Sequence, residues 1–182
     1  MKREEAFDLV KQNIKRENLL KHMLAVEAIM RKTAEFLGED KEKWGLVGLL
    51  HDIDFEKMKE PKDHGVMATD ILRRKVDDET LHAIKAHNYE YTGATPNSKL
   101  DYSLIAADSI SGLIIACALV MPSKKLAEVR VDSIAKRFKE KDFARNCIRD
   151  RILFCEKVSV SKEKFYEIAL KALQDNAESL GL

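Results

Sequence analysis

Residues 48–57 read GLLHDIDFEK. An apolar run stops abruptly at His51-Asp52, placing an imidazole beside a carboxylate where core-facing sequence gives out. Both side chains are metal ligands. Adjacent helical residues point about 100° apart. Such a pair at a helix end therefore presents two donors to one ion lying between their directions. Gly45 and Gly48 sit in the same predicted helix, where alanine would be favoured by about 1 kcal/mol. Their presence implies close approach by another helix or by a bound group.

Outward from this segment the pattern is helical. Apolar residues recur at i, i+3 and i+4, alternating strand patterns are scarce, and only 3 Pro and 7 Gly interrupt the chain. The spacing predicts helices over about 3–15, from an Asn18 cap to Gly38, over 40–52, 64–75, 78–88 and 100–120, and then over 124–139, 142–157 and 161–180. The stretches DFEKMKEPK and YEYTGATPNSK are expected loops. The expectation is an all-α bundle in one domain, 1–182.

All five histidines, His22, His51, His64, His82 and His87, lie in the N-terminal half. His22 shares a helical face with Leu19, Val26 and Ile29. His64 lies above Ala68 and Ile71, and His87 follows Ala83 and Ile84, so these point inward. His82 has Asp78, Glu79, Lys85 and Tyr89 at helical spacing and is expected to face solvent. Asp108 lies inside LIAADSISGLIIACAL, on a face with Leu104, Ile105, Gly112 and Ile115. A buried, unpaired carboxylate costs several kcal/mol or is neutralised by protonation. A metal shared with His51 and Asp52 would satisfy it; an arginine partner or a local turn is the alternative. A lone histidine on an apolar face is commonly a hydrogen-bonded core residue. The argument for a metal rests on the whole set.

Composition narrows the classes. With 32 Lys+Arg against 31 Asp+Glu, no global field favours nucleic acid or an anionic membrane. Cys117, Cys147 and Cys155 form no C-x-x-C pair and read as small core residues in a reducing compartment. MKREEAFDLVKQ carries no signal-peptide core, and the apolar stretch Ile110–Met121 is shorter than the about 20 residues a span needs. A soluble cytoplasmic protein is expected.

The ordered set His22, His51-Asp52 and Asp108 resembles the signature of the HD-domain metal-dependent phosphohydrolases. KHMLAVEAIM resembles the first-histidine helix, GLVGLLHDID the doublet, and LIAADSIS the helix with the final aspartate. DHGVMATDIL and LHAIKAHN resemble the segments that supply extra histidines in two-metal members. The likeness covers about 18–115, leaving 116–182 as additional C-terminal helices packed on that core. It implies that His22, His51, Asp52 and Asp108 hold one ion and that His64 and His87, with Asp52 bridging, hold a second. Imidazole and carboxylate together suit Mn, Fe, Co, Ni or Zn.

The chain also departs from that pattern. Many relatives read H-D-I-G-K, whereas Asp54 and Phe55 stand in the last two places here, so the lysine that often faces phosphate is absent. The likeness implies hydrolysis of a small phosphate ester such as a nucleotide, with Asp52 anchoring the metals. Asp54 or Glu56 is expected to orient the water; ordinary loop acids are the alternative. A regulatory module that binds metal and nucleotide without turnover, and a purely structural bundle, are the competing readings. In the C-terminal part, Val131, Ile134, Phe138, Phe143, Ile148 and Ile152 form an amphipathic packing pattern, on which a homodimer interface is conceivable but not demanded. Arg145, Arg149 and Arg151 form a basic cluster able to meet an anion, but the acids nearby favour a solvated face.

Overall fold

The computed structural model describes residues 1–182 and is built of eleven α-helices with no strand. In order these are α1 (Arg3–Asn13), α2 (Glu17–Leu37), α3 (Lys41–Leu50), α4 (Val66–Leu72), α5 (Asp78–Ala86), α6 (Tyr89–Thr92), α7 (Lys99–Leu119), α8 (Val131–Lys139), α9 (Arg149–Ile152), α10 (Lys162–Asp175) and α11 (Ala177–Leu180). Tight 3₁₀ turns cover Pro61–Asp63, Leu126–Glu128 and Leu153–Val158.

Side chains cap the starts of four of the eleven helices. Asp40 Oδ1 accepts from the amides of Glu42 (2.9 Å) and Lys43 (3.1 Å) at the head of α3. Asp77 Oδ1 accepts from Thr80 N at 2.8 Å at the head of α5. Ser98 and Asp101 cap α7 reciprocally, with Oγ accepting from Asp101 N and Oδ2 accepting from Ser98 N, both at 3.1 Å. Ser161 caps α10 as its sequence suggests. The start of α2 differs from expectation: Asn18 lies inside the helix, which begins at Glu17. The carboxylate of Glu56 instead accepts from the amides of Lys15 (3.0 Å) and Arg16 (2.8 Å), fastening the α1–α2 connection from a distant loop.

α2 and α7, each of 21 residues, form the middle of the bundle. The apolar helix α7 is longer than its most apolar stretch and, by length and composition alone, could cross a membrane; 67% of its most apolar window is buried against protein. α3 packs against α2 so closely that a Cβ on Gly48 would stand 2.9 Å from Glu27 Cα and N and from Val26 O. Helix contact, not a bound group, therefore accounts for Gly48. At Gly45 the neighbour is the flexible side chain of Arg31. Glu27, 4% exposed, takes a two-pronged ion pair from Arg3 (2.5 and 2.9 Å) that ties α1 to α2. One connected set of 43 buried apolar residues runs from Ala6 to Leu180, so the C-terminal helices share the core with the segment that carries the histidines.

The expected helix over 142–157 does not form as one element. Residues 140–148 are irregular, and Ala144 adopts a left-handed φ of 48°. Arg149 explains how this is tolerated. Its guanidinium donates to the carbonyls of Arg137, Phe138, Glu140, Phe143, Ala144 and Cys147, doing for the loop what backbone amides do inside a helix. α8 starts late, at Val131, after the turn that follows Pro122, and the last helix breaks at Asn176.

The α2–α3 contact gives a direct test. In Gly48→Ala the new methyl meets backbone, which cannot swing aside, so overpacking of about 1–3 kcal/mol outweighs the gain in helix propensity. Urea denaturation should show a lower midpoint with an unchanged slope.

Candidate metal centre

Four helices and one turn deliver the polar residues to a common point. α2 brings His22, the C-terminal end of α3 brings His51 and Asp52, the turn before α4 brings His64, the end of α5 brings His87, and α7 brings Asp108. His22 Nε2 lies 3.3 Å from His51 Nε2, 3.2 Å from Asp108 Oδ1 and 3.6 Å from Asp52 Oδ2. Asp52 Oδ1 lies 3.3 Å from His51 Nε2, 3.2 Å from His64 Nε2 and 3.6 Å from His87 Nε2. His64 Nε2 and His87 Nε2 are 2.9 Å apart. Oδ2 of Asp52 thus faces His22, and Oδ1 faces the other three imidazoles. Two sets of donor atoms are compact enough to hold a metal: His22, His51 and Asp108, and His51, Asp52 and His87.

The far nitrogen of every ring is tied down. Nδ1 of His51 meets Gly48 O at 2.8 Å, and Nδ1 of His87 meets Ile84 O. Nδ1 of His64 meets Asp54 Oδ1 at 2.8 Å. Nδ1 of His22 meets Ser111 Oγ at 3.2 Å, and that hydroxyl donates onward to Asp108 O at 2.7 Å, so it accepts from the ring. Four oxygens placed as acceptors suit an Nδ1–H on every ring and turn the four Nε2 atoms inward, toward the carboxylates and one another. This is the arrangement by which outer hydrogen bonds orient metal-binding imidazoles.

Charge tells the same story. Asp52, Asp54 and Asp108 have only histidines as ion-pair partners, with no lysine or arginine within 4.0 Å. Burial pushes the His51 imidazole down to about 4, against the pull of Asp52, so the ring is neutral and free to donate its lone pair. Burial acts the same way on His64, but Asp52 and Asp54 outweigh it and raise the ring to about 10. In the metal-free chain a proton on His64 stands where a cation would balance Asp52. Burial would lift Asp108, yet its contact with His22 holds it down at about 2. Carboxylates held in the charged form among imidazoles, with no lysine or arginine to balance them, fit a divalent cation.

The remaining expected residues lie elsewhere. Asp54 is fully buried and wholly engaged: Oδ1 takes His64, and Oδ2 accepts from the amides of Gly65 and Ala68, both at 2.8 Å. Glu56 is committed to Lys15 and Arg16. The water-orienting role expected of these two acids gives way to positioning His64 and fastening the α1–α2 connection. His82 stays out of the cluster and is half-buried instead of solvent-facing, its Nδ1 3.2 Å from Asp101 Oδ2. Sequence reading passed over Ser111, although its place one helical turn after Asp108 put it within reach. Arg151, expected on a solvated face, instead donates to the His87 carbonyl.

Residues 19–118 match the HD domain family model, and the chain belongs to that family. All six clustered residues fall inside the matched segment. Among curated proteins the chain resembles Ribonuclease Y of Nitratidesulfovibrio vulgaris strain DP4, at 36% identity over 98 residues, which is 53% of this chain and 18% of that protein. It likewise resembles Ribonuclease Y of Rhodopirellula baltica, at 32% identity over 124 residues, 67% of this chain and 23% of that protein. The chain spans less than a quarter of the length of these relatives. No solved structure matches it.

Asp54 offers a test of the positioning argument. Asp54→Asn keeps the shape but removes the charge that holds His64 Nδ1–H. Metal affinity should fall about 10–100-fold at the step that involves His64. Calorimetric titration with Mn²⁺ reads this out; unchanged affinity would mean that His64 binds no metal.

Proposed function

We propose that this chain is a metal-dependent phosphohydrolase acting on a small phosphate ester, with nucleotides as the leading candidates. The observation that carries the proposal is the set of four imidazoles whose Nδ1 atoms are all committed, leaving Nε2 atoms directed at the buried carboxylate of Asp52 and the partly exposed one of Asp108. His22, His51, Asp52 and Asp108 would hold one divalent transition metal, and Asp52, His64 and His87 a second. Mn, Fe, Co, Ni and Zn all suit such donors. Bound there, such a cation supplies water activation near neutral pH and neutralisation of phosphoryl charge.

The chain's own contribution is positioning. Asp52 turns Oδ2 to His22 and Oδ1 to His51, His64 and His87, so all four imidazoles depend on a single side chain. His51 and His87 are nearly sealed from solvent, with side chains 0% and 3% exposed, whereas His22 and Asp108 are 24% and 22% exposed. A phosphate ester therefore enters on the His22–Asp108 side. Phe55, where many family members carry lysine, packs edge-on against His64 at 5.3 Å between ring centres and shields that ring. Family membership supports hydrolysis, and the name of the curated relatives adds phosphodiester bonds to the linkages to be tried.

The test is an assay of purified protein loaded with Mn²⁺, Co²⁺ or Ni²⁺ on nucleoside monophosphates, p-nitrophenyl phosphate and bis(p-nitrophenyl) phosphate. Turnover should appear with at least one metal, vanish on chelation, and fall at least about 100-fold in Asp52→Ala. Chelation should also lower the melting temperature of the wild type, because bound metal stabilises the folded state. A nucleotide that stabilises the loaded protein yet remains intact with every metal would overturn catalysis in favour of a binding module.

A further inference from the structure

The open side of the metal centre is walled by residues from beyond the family-matched segment. A cleft of about 340 Å³ runs from His22 and Asp108 to Arg145, Asn146 and Cys147 in the irregular 140–148 loop. Arg145 is the only lysine or arginine lining it. Its guanidinium is 78% exposed, and its one acidic neighbour, Asp142, is 3.7 Å away and 96% exposed. A pairing so exposed to solvent does little to hold either side chain. On the other side of His22, Arg16 lines a second cleft but is already engaged, 3.3 Å from Glu56 and stacked over Phe55 at 5.6 Å.

The loop that presents Arg145 is firmly held. Arg149 draws in carbonyls on both sides of it, including Ala144 O at 3.0 Å and Cys147 O at 2.7 Å. Cys147 Sγ donates to Ser109 O at 2.9 Å, one residue after Asp108 on α7. Ala144 takes up its left-handed φ directly before Arg145. The three arginines that sequence reading grouped as a solvated face therefore separate: Arg149 is scaffold, Arg151 holds the His87 carbonyl, and Arg145 stands free at the cleft.

We propose that Arg145, with Asn146 beside it, recognises an anionic group of the substrate other than the phosphate being hydrolysed, so that esters carrying a second phosphate are preferred over monophosphates. This rests on reading the cleft as a phosphohydrolase site. The reacting phosphate is neutralised at the His/Asp cluster, and a planar guanidinium placed outside that cluster suits two-pronged contact with a further phosphate.

The experiment is calorimetric titration of the Mn²⁺-loaded full chain with adenosine 5′-monophosphate and adenosine 3′,5′-bisphosphate, for wild type, Arg145→Gln and Arg145→Lys. Wild type should bind the bisphosphate about tenfold or more tightly than the monophosphate, as expected of a charged hydrogen bond. Arg145→Gln should erase that preference while binding the monophosphate as wild type does, and Arg145→Lys should restore part of it. Metal content should be equal in all three, which separates anion recognition from metal loss. Equal binding of the two nucleotides by wild type, or an undiminished preference in Arg145→Gln, would overturn the assignment. Chromatography of the titrated nucleotides separates the two ideas: a preference that depends on Arg145, with every nucleotide intact, keeps the recognition role and removes the hydrolase.

Discussion

A carboxylate enclosed by imidazoles is a demanding thing to build. Asp52 is 6% exposed, and its nearest charged or chargeable neighbours are His22, His51, His64 and His87. Transfer of an isolated carboxylate from water to such a place costs many kcal/mol unless positive charge accompanies it. Neutral imidazoles do not supply that charge; they supply lone pairs. A proton on His64 or a cation among the Nε2 atoms does, and only the cation uses all the donors at once. Much of the surrounding architecture serves this requirement: α2 and α3 approach at Gly48 until backbone meets backbone, and that contact fixes His22 against the His51-Asp52 pair.

The two ends of the cluster are not equivalent. Asp54, itself buried and held by two backbone amides, braces His64 with a full negative charge. His22 is braced by a neutral hydroxyl that is anchored in turn on a helix carbonyl. A charged acceptor raises the basicity of the ring it holds more than a neutral one does. His64 is therefore braced by charge where His22 is not, and the His22–Asp108 end is the one more open to solvent.

How much of this could be read beforehand follows from the range of the forces involved. Helices and the inward faces of His22, His51, His64, His87 and Asp108 were legible, because amphipathic spacing records burial locally. The cost of Gly48 was legible too, but its cause was not: the atoms that crowd it belong to Val26 and Glu27, twenty or more positions away. Asp54 and Glu56 misled for the same reason. An acid in a loop advertises its charge but not its partner, and here the partners are His64 and the amides of residues 15 and 16. The 142–157 segment carries helical periodicity, yet a single side chain, Arg149, supplies enough donors to stabilise a different path.

That last substitution of side chain for backbone has a structural consequence at the metal centre. A helix through 142–157 would carry Arg145 along one regular face, with its direction fixed by the helix axis. The irregular loop instead turns sharply at Ala144 and is stitched to α7 at Ser109. Its side chains therefore stand beside Asp108 without contributing to the donor set. Arg151, further along, reaches the carbonyl of His87 at the C-terminal end of α5, where positive charge is favoured by the helix dipole. The segment that holds the donors and the segment that frames them are thus separable in sequence but locked together through backbone carbonyls. Changes in the later segment can alter what reaches the cluster while leaving the cluster itself intact.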